Sequence, residues 1–146
     1  MFKHYLISTD GSPASNKAAR AGVELATRLG ARITGYSAFE PMRPVYGEGY
    51  AFDQKAIAGI EKQGREVAQK RVDAIGKLAK AAGVPFASVV TKAYSAYEGI
   101  IAAAKKPKCD AIFMASHGRR GLSRLVMGSV TQQVLTHSKI PVVVYR

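Results

Sequence analysis

The alternation of short apolar runs with helix-periodic segments restricts this chain more than any other feature. "YLIST" (5–9) stops at the turn signal "DGSP". Ser12 followed by Pro13 reads as an N-cap with proline at the first helical position. Ala19, Val23, Ala26 and Leu29 then recur at helical spacing, and Gly30 ends the pattern as a C-cap. "ARITGYSAF" (31–39) is a second strand with Gly35 inside it, and "EPMRPVYGEGYAF" (40–52) is an irregular loop. Ile57, Ile60, Val67, Ile75 and Leu78 mark a long helix from about Gln54 to Ala82, closed by Gly83. "FASVVTKA" is a third strand, and Ser95 with Glu98 forms a capping box opening a helix that carries Ile100, Ile101 and Ala104. "DAIFMAS" is a fourth strand. After a glycine-rich stretch, Val130, Val134 and Leu135 mark a last helix, and "PVVVYR" is a fifth strand.

Strands alternating with crossover helices imply a mostly parallel sheet covered on both faces. The fold class expected is α/β, a single doubly wound domain over residues 1–146, with no internal repeat. No apolar run approaches the roughly 20 residues that span a bilayer, and "MFKHYLISTDGS" is too quickly polar for a secretory signal. With one cysteine, Cys109, the chain forms no intrachain disulfide. A cytoplasmic protein without a membrane partner is expected. Charge is the unusual quantity: 22 Lys+Arg against 10 Asp+Glu leave +12, which favours anionic partners. Those cations are spread along the chain, with only short pairs at Lys105–Lys106 and Arg119–Arg120. A solvated basic surface is the plainer reading, and nucleic acid is not the expected partner.

Ligands of such sheets bind beyond the carboxyl ends of the strands, where the strand order reverses. Three of those ends are small, polar and turn-prone: Ser8-Thr9-Asp10-Gly11, Ser37-Ala38-Phe39-Glu40 and Ala115-Ser116-His117-Gly118. The last opens "ASHGRRGLSRLVMGS" (115–129). A glycine-rich loop between a strand and a helix is one way to build a phosphate site, and the same letters also describe a surface loop. There is no G-x4-G-K-[ST], and no G-x-G-x-x-G follows the first strand, which argues against a P-loop ATPase or a dinucleotide dehydrogenase. His4, His117 and His137 share no metal-ligand spacing. A phospho-acceptor reading of Asp10 would need acidic neighbours, and residues 7–9 are Ile, Ser and Thr.

Over essentially its whole length the chain resembles the universal stress protein family. The nucleotide-binding branch of that family carries G-x2-G-x9-G-[ST] after its fourth strand, and the matching positions are Ala115, Gly118, Gly128 and Ser129. "STDGS" and "PVVVYR" are also similar to the family pattern. The resemblance implies a five-stranded sheet of order 3-2-1-4-5, with the switch between the first and fourth strands and Asp10 beside the glycine loop. It implies an adenine-nucleotide site, with ATP the favoured ligand (AMP or ADP the alternatives) and Mg2+ or Mn2+ accompanying it. Gly118, Gly128, Ser129 and the N-terminus of the last helix would cradle phosphates. Asp10 would lie near the ribose or share the metal, and the backbone around Thr9 and Ser37 would read the adenine edge. Ser8, Ala38, Met114, His117, Arg119, Val130 and Thr131 complete the implied nucleotide-binding set. The family also pairs commonly as a homodimer through the last strand, here Val142, Val143 and Val144.

One departure is Ala115, where the family has glycine against the ribose. Other residues admit two readings each. Ser129 to Gln132 is itself a capping box, so Ser129 can cap, bind, or both. Asp10 before Gly11 also suits a plain turn, and Met114 and Met127 suit core packing. Arg119, Arg120 and Arg124 either clamp phosphates or are solvated, and Tyr46, Tyr50 and Phe52 either cover a base or are incidental. His117 has no acid or nucleophile paired with it by spacing, so no residue is assigned a catalytic role. Binding with little or no hydrolysis is the expected function. A slow ATPase using Asp10, or an interaction module with a vestigial pocket, are its rivals.

Overall fold

Two uninterrupted runs, "HYLIS" and "AIFMA", have every residue buried and lie side by side at the centre of the sheet. The computed structural model describes residues 1–42, 53–118 and 127–146. In chain order the elements are β1 (His4–Ser8), α1 (Pro13–Leu29), β2 (Arg32–Phe39), α2 (Gln54–Ala81), β3 (Phe86–Lys92), α3 (Ala96–Lys105), β4 (Ala111–Ala115), α4 (Ser129–His137) and β5 (Val142–Tyr145). Every ladder is parallel and the order is β3-β2-β1-β4-β5, as the resemblance implied.

Alternation along the central strands divides the core between the two faces. Tyr5, Ile7 and Ile33 meet Ala19 and Val23 of α1 and Ile75 and Ala79 of α2. Leu6, Tyr36 and Ile112 meet Ile100 and Ile101 of α3 and Val134 of α4. Each large aliphatic buried this way contributes about 1.5–3 kcal/mol relative to exposure. β3 and β5 are the edges, and β5 is only half buried. Among the described residues no helix is long and apolar enough to cross a membrane.

The helix starts follow the sequence unevenly. Ser12 caps α1, its Oγ accepting from Ser15 N at 3.1 Å, with Pro13 in the first turn. Ser95 occupies the N-cap position of α3 but makes no side-chain capping bond, and Glu98 accepts from the Tyr97 hydroxyl instead. At α4 the cap is Gly128, and Ser129 is the first helical residue, so the capping box expected there is not formed. The apolar stripe of α2 is also narrower than its spacing implied. Ile75 is buried, but Ile60 and Val67 are nearly half exposed, and small Ala68 and Ala79 face the sheet.

Three helices end in the same turn. After α1, Gly30 N donates to Thr27 O and Ala31 N to Ala26 O; after α2, Gly83 N donates to Lys80 O and Val84 N to Ala79 O. After α3, Lys108 N donates to Lys105 O and Cys109 N to Ala104 O. The turning residue is left-handed each time, with φ 61° at Gly30, 68° at Gly83 and 56° at Lys108. A lysine thus occupies a glycine position, at a cost on the order of 1 kcal/mol.

The amino end of the sheet holds a buried histidine. His4 Nε2 lies 2.8 Å from Thr34 Oγ1, and Cys109 is buried close by, its thiol also bonded to Thr34 and pushed up to about 11 chiefly by burial. Burial, aided by the charge of Arg32, lowers the His4 pKa, while Asp110 and the Pro107 carbonyl oppose the shift. A histidine with a depressed pKa contributes no penalty above its unfolded value of about 6.5 and costs stability as pH falls below it. Urea unfolding should therefore show stability declining between pH values of about 7 and 5, and His4→Gln should flatten that limb. An unchanged slope in the variant would show that other groups govern the acid side.

Candidate functional site

Strand order reverses between β1 and β4, and Asp10 and Gly118, which follow those strands, meet there. Leaving β1, Thr9 N donates to Tyr36 O at 2.9 Å, which keeps Thr9 extended against β2. The Thr9 hydroxyl lies 3.0 Å from Ser15 Oγ and accepts from Gly11 N at 3.1 Å. It is thus engaged within the loop. Asp10 Oδ1 accepts from Ser12 N at 2.9 Å, and this turn fixes the carboxylate. The other oxygen, Oδ2, faces Gly118, where a Cβ would overlap it. Glycine at 118 is therefore a condition for Asp10 and the end of β4 to meet.

Gly128 serves closeness in another way. Its φ is −62°, open to any residue, but an added Cβ would stand 3.2 Å from His117 Cα and 3.4 Å from Ser116 O. Gly128 N donates to Ser116 O at 2.8 Å, which ties the start of α4 to the end of β4. The buried Thr131 hydroxyl adds a second tie, donating to Ala115 O at 3.0 Å. With Gly128 as cap, the N-cap residue itself puts no side-chain oxygen over the first N–H groups of α4, and Ser129 is exposed beside them. Such an end attracts anions through those donors and the helix dipole. The N-terminus of α1, by contrast, is already closed by Ser12 and Pro13.

β2 outruns β1. The last β1–β2 pair is Ser8 with Tyr36, whereas β2 continues to Phe39 beside β3. Tyr36 O bonds toward β1 and Phe39 O toward β3, so by the alternation of a parallel ladder the N–H and C=O of Ala38 face the β1 side. The backbone able to read a flat donor–acceptor edge is thus that of Ala38, one residue beyond Ser37. The Ser37 hydroxyl is buried and without a hydrogen-bond partner among the described residues. Its neighbours are covered by α2: Arg65 lies 5.1 Å over the Phe39 ring, and Glu61 pairs with Lys92 at 2.6 Å.

Ser8 and Met114 are buried at the strand ends, and Val130 is half buried against the α3–α4 face. His117 is half exposed, its Nδ1 2.9 Å from Ser116 Oγ. Ala115 is a buried strand residue with no positive φ. Arg119, Arg120 and Arg124, like Tyr46, Tyr50 and Phe52, lie outside the described residues. Sequence reasoning missed Arg71. Its side chain from α2 lies against Gly11, whose φ is +78° and where a Cβ would come within 2.9 Å of Arg71 Nε. In sequence it is one cation among the mixed charges of "QKRVD", and only tertiary packing brings it to the first loop.

No group of three or more His, Cys, Asp or Glu able to hold a metal occurs among the described residues. Among the described residues that follow β1 and β4, Asp10 is the carboxylate. Such a donor set suits a Mg2+ or Mn2+ ion held mainly by a ligand's own phosphates rather than by a protein cage.

A family model described as the universal stress protein family matches residues 1–146. A universal stress protein of Thermus aquaticus is 31% identical over 147 residues, covering all of both chains. Among solved structures, the universal stress protein UspA of Lactobacillus plantarum superposes with a TM-score of 0.82 at 19% identity, over 99% of this chain and 98% of that one. A universal stress protein in complex with cAMP superposes at 0.68, with 19% identity over 99% and 97%.

Proposed function

The chain belongs to the universal stress protein family, and from that premise we propose that it binds an adenine nucleotide, ATP foremost, at the carboxyl ends of β1, β2 and β4. The carrying observation is the approach of Gly118 to the Asp10 carboxylate beside an α4 N-terminus whose N-cap residue, Gly128, has no side chain to cap it. Phosphates would meet the first N–H groups of α4 and the Ser129 hydroxyl; the ribose would lie by Asp10 and Ala115; the base edge would face the Ala38 backbone. The Thr131 hydroxyl positions α4 rather than the ligand, because it is committed to Ala115 O. A divalent ion, when bound, neutralises phosphate charge, with Asp10 as its protein donor. That a relative of this fold is a cAMP complex supports an adenine ligand.

Turnover is expected to be slow or absent. Asp10 is held by Ser12 N on one oxygen and faces Gly118 on the other, a geometry for positioning rather than for taking a proton from water. Mass spectrometry of nucleotide released from the purified, denatured protein tests the ligand, and single-turnover hydrolysis of labelled ATP tests the chemistry. Recovery of no adenine nucleotide, together with no calorimetric binding, would end this reading.

Ala115 gives a finer test. Ala115 sits in ordinary strand conformation, packed with the core on the α1–α2 side of the sheet, so the alanine does not strain the backbone, and its methyl group would narrow the ribose side from there. Ala115→Gly should raise ATP affinity by less than about tenfold. It should also lower stability by about 0.5–1 kcal/mol through the freedom that glycine adds to the unfolded chain. A stabilised variant would contradict the unstrained alanine.

A further inference from the structure

Cations that are scattered along the chain are brought together at the end of the sheet opposite the nucleotide site. Arg32 opens β2, Lys3 precedes β1, Lys108 precedes β4 and Lys139 precedes β5, and all four are exposed. Because β2, β1, β4 and β5 are successive neighbours, these residues stand in a row. At about 4.8 Å per strand the row is about 14 Å long, the rise of roughly four phosphates along one strand of B-form DNA. Lys105 and Lys106, also exposed, extend it along the last turn of α3. The acid in the row, Asp110, is committed to main chain: its two oxygens accept from Lys3 N at 2.7 Å and His4 N at 3.0 Å.

Helix dipoles account for only part of this. A cation in the last turn of a helix complements its carbonyl end, and Lys105 does so for α3. Lys3 precedes a strand and Arg32 opens one, and neither stands in the last turn of a helix. Lys108 holds its place in a left-handed conformation where the two equivalent turns use glycine. A residue kept in a costly conformation is a sign of use.

The structure assigns this amino end of the sheet as a binding surface for the phosphate backbone of a nucleic acid duplex. It offers charge and no stacking platform: Phe2 packs on the core and Tyr5 is buried, so recognition is independent of base sequence. The surface is separate from the nucleotide pocket and does not depend on it.

The test is titration of labelled duplex DNA of about 20 base pairs across a salt series starting near 50 mM. The slope of log K against log salt should be about −3.6 for four neutralised phosphates. Lys108→Gly should raise the melting temperature and yet make the slope shallower by about 0.9. Adding Lys139→Gln should bring the change to about 1.8 and cut affinity at least tenfold at low salt. The charge-matched control, Lys55→Gln with Lys62→Gln on α2, should lose far less. No binding by the unaltered protein at low salt would overturn the assignment, as would equal losses in the control. So would displacement of DNA by ATP, or capture by phosphatidylserine vesicles or an acidic peptide with no affinity for DNA.

Discussion

Gly118→Ala is expected to lower ATP affinity at least tenfold, about 1.4 kcal/mol, while the protein stays folded. The added methyl group would occupy the position of Asp10 Oδ2, so the carboxylate must swing away from the end of β4. That movement breaks its bond to Ser12 N or pushes Asp10 into the space proposed for ribose and metal. Gly128→Val should lose as much by a different route. Its Cβ meets the backbone of Ser116 and His117, which can yield only by moving the first turn of α4 away from β4. The donors that would face phosphate move with it. Calorimetry on both variants, each checked for an intact thermal transition, decides the matter. Unchanged affinity in a folded Gly118→Ala protein would show that the approach of Asp10 to Gly118 is not part of the nucleotide site.

Sedimentation at micromolar concentration is expected to show a symmetric homodimer that Val144→Pro converts to monomer. β5 is an edge strand, and an unpaired edge invites a second copy. Pro141 O and Tyr145 O bond toward β4, so the N–H groups of Val143 and Tyr145 belong to the inner side of the strand. Those of Val142 and Val144 face outward. Proline at 144 removes an outward donor and leaves the β4–β5 ladder intact. Proline at 143 would damage that ladder itself and report on folding rather than assembly. Adjoining half-buried valines supply the apolar surface, and a stable contact of this kind needs about 1,200 Å2 or more in total. A monomeric unaltered protein, or a dimer indifferent to Val144→Pro, would place any assembly elsewhere.

Local chemistry made most of the fold legible. Ser12, Pro13 and Gly30 bound α1 because capping is settled within a few residues, and the alternation of elements forced a parallel sheet. Strand order was not local and came through resemblance. Ser95 and Ser129 failed as side-chain caps although their spacing was right. In the first, Glu98 found Tyr97; in the second, the contact with Ser116 required glycine at the cap and moved Ser129 one place inward. Ile60 and Val67 kept helical spacing yet stayed exposed, because close packing on the sheet was taken by small residues such as Ala68 and Ala79. Gly118 and Gly128 pointed to the candidate site, and Asp10 was legible as the neighbour of Gly118 once the strand order was known. Arg71 was not, nor was the row of Lys3, Arg32, Lys108 and Lys139. Each depends on which strands lie side by side.

The two ties between β4 and α4, Gly128 N to Ser116 O and Thr131 Oγ1 to Ala115 O, have an evolutionary consequence. They join the strand to the helix at the base of the segment between them, so the core does not depend on the length of that segment. Lengthening a tethered loop is cheap, about 0.6 kcal/mol for each doubling. Segments of other length and charge can then be exchanged between residues 118 and 128 as a cassette, with the sheet and both helical layers unaltered. A lineage built on this plan can accept insertion and deletion at one address while the ties that hold β4 to α4 stay in place.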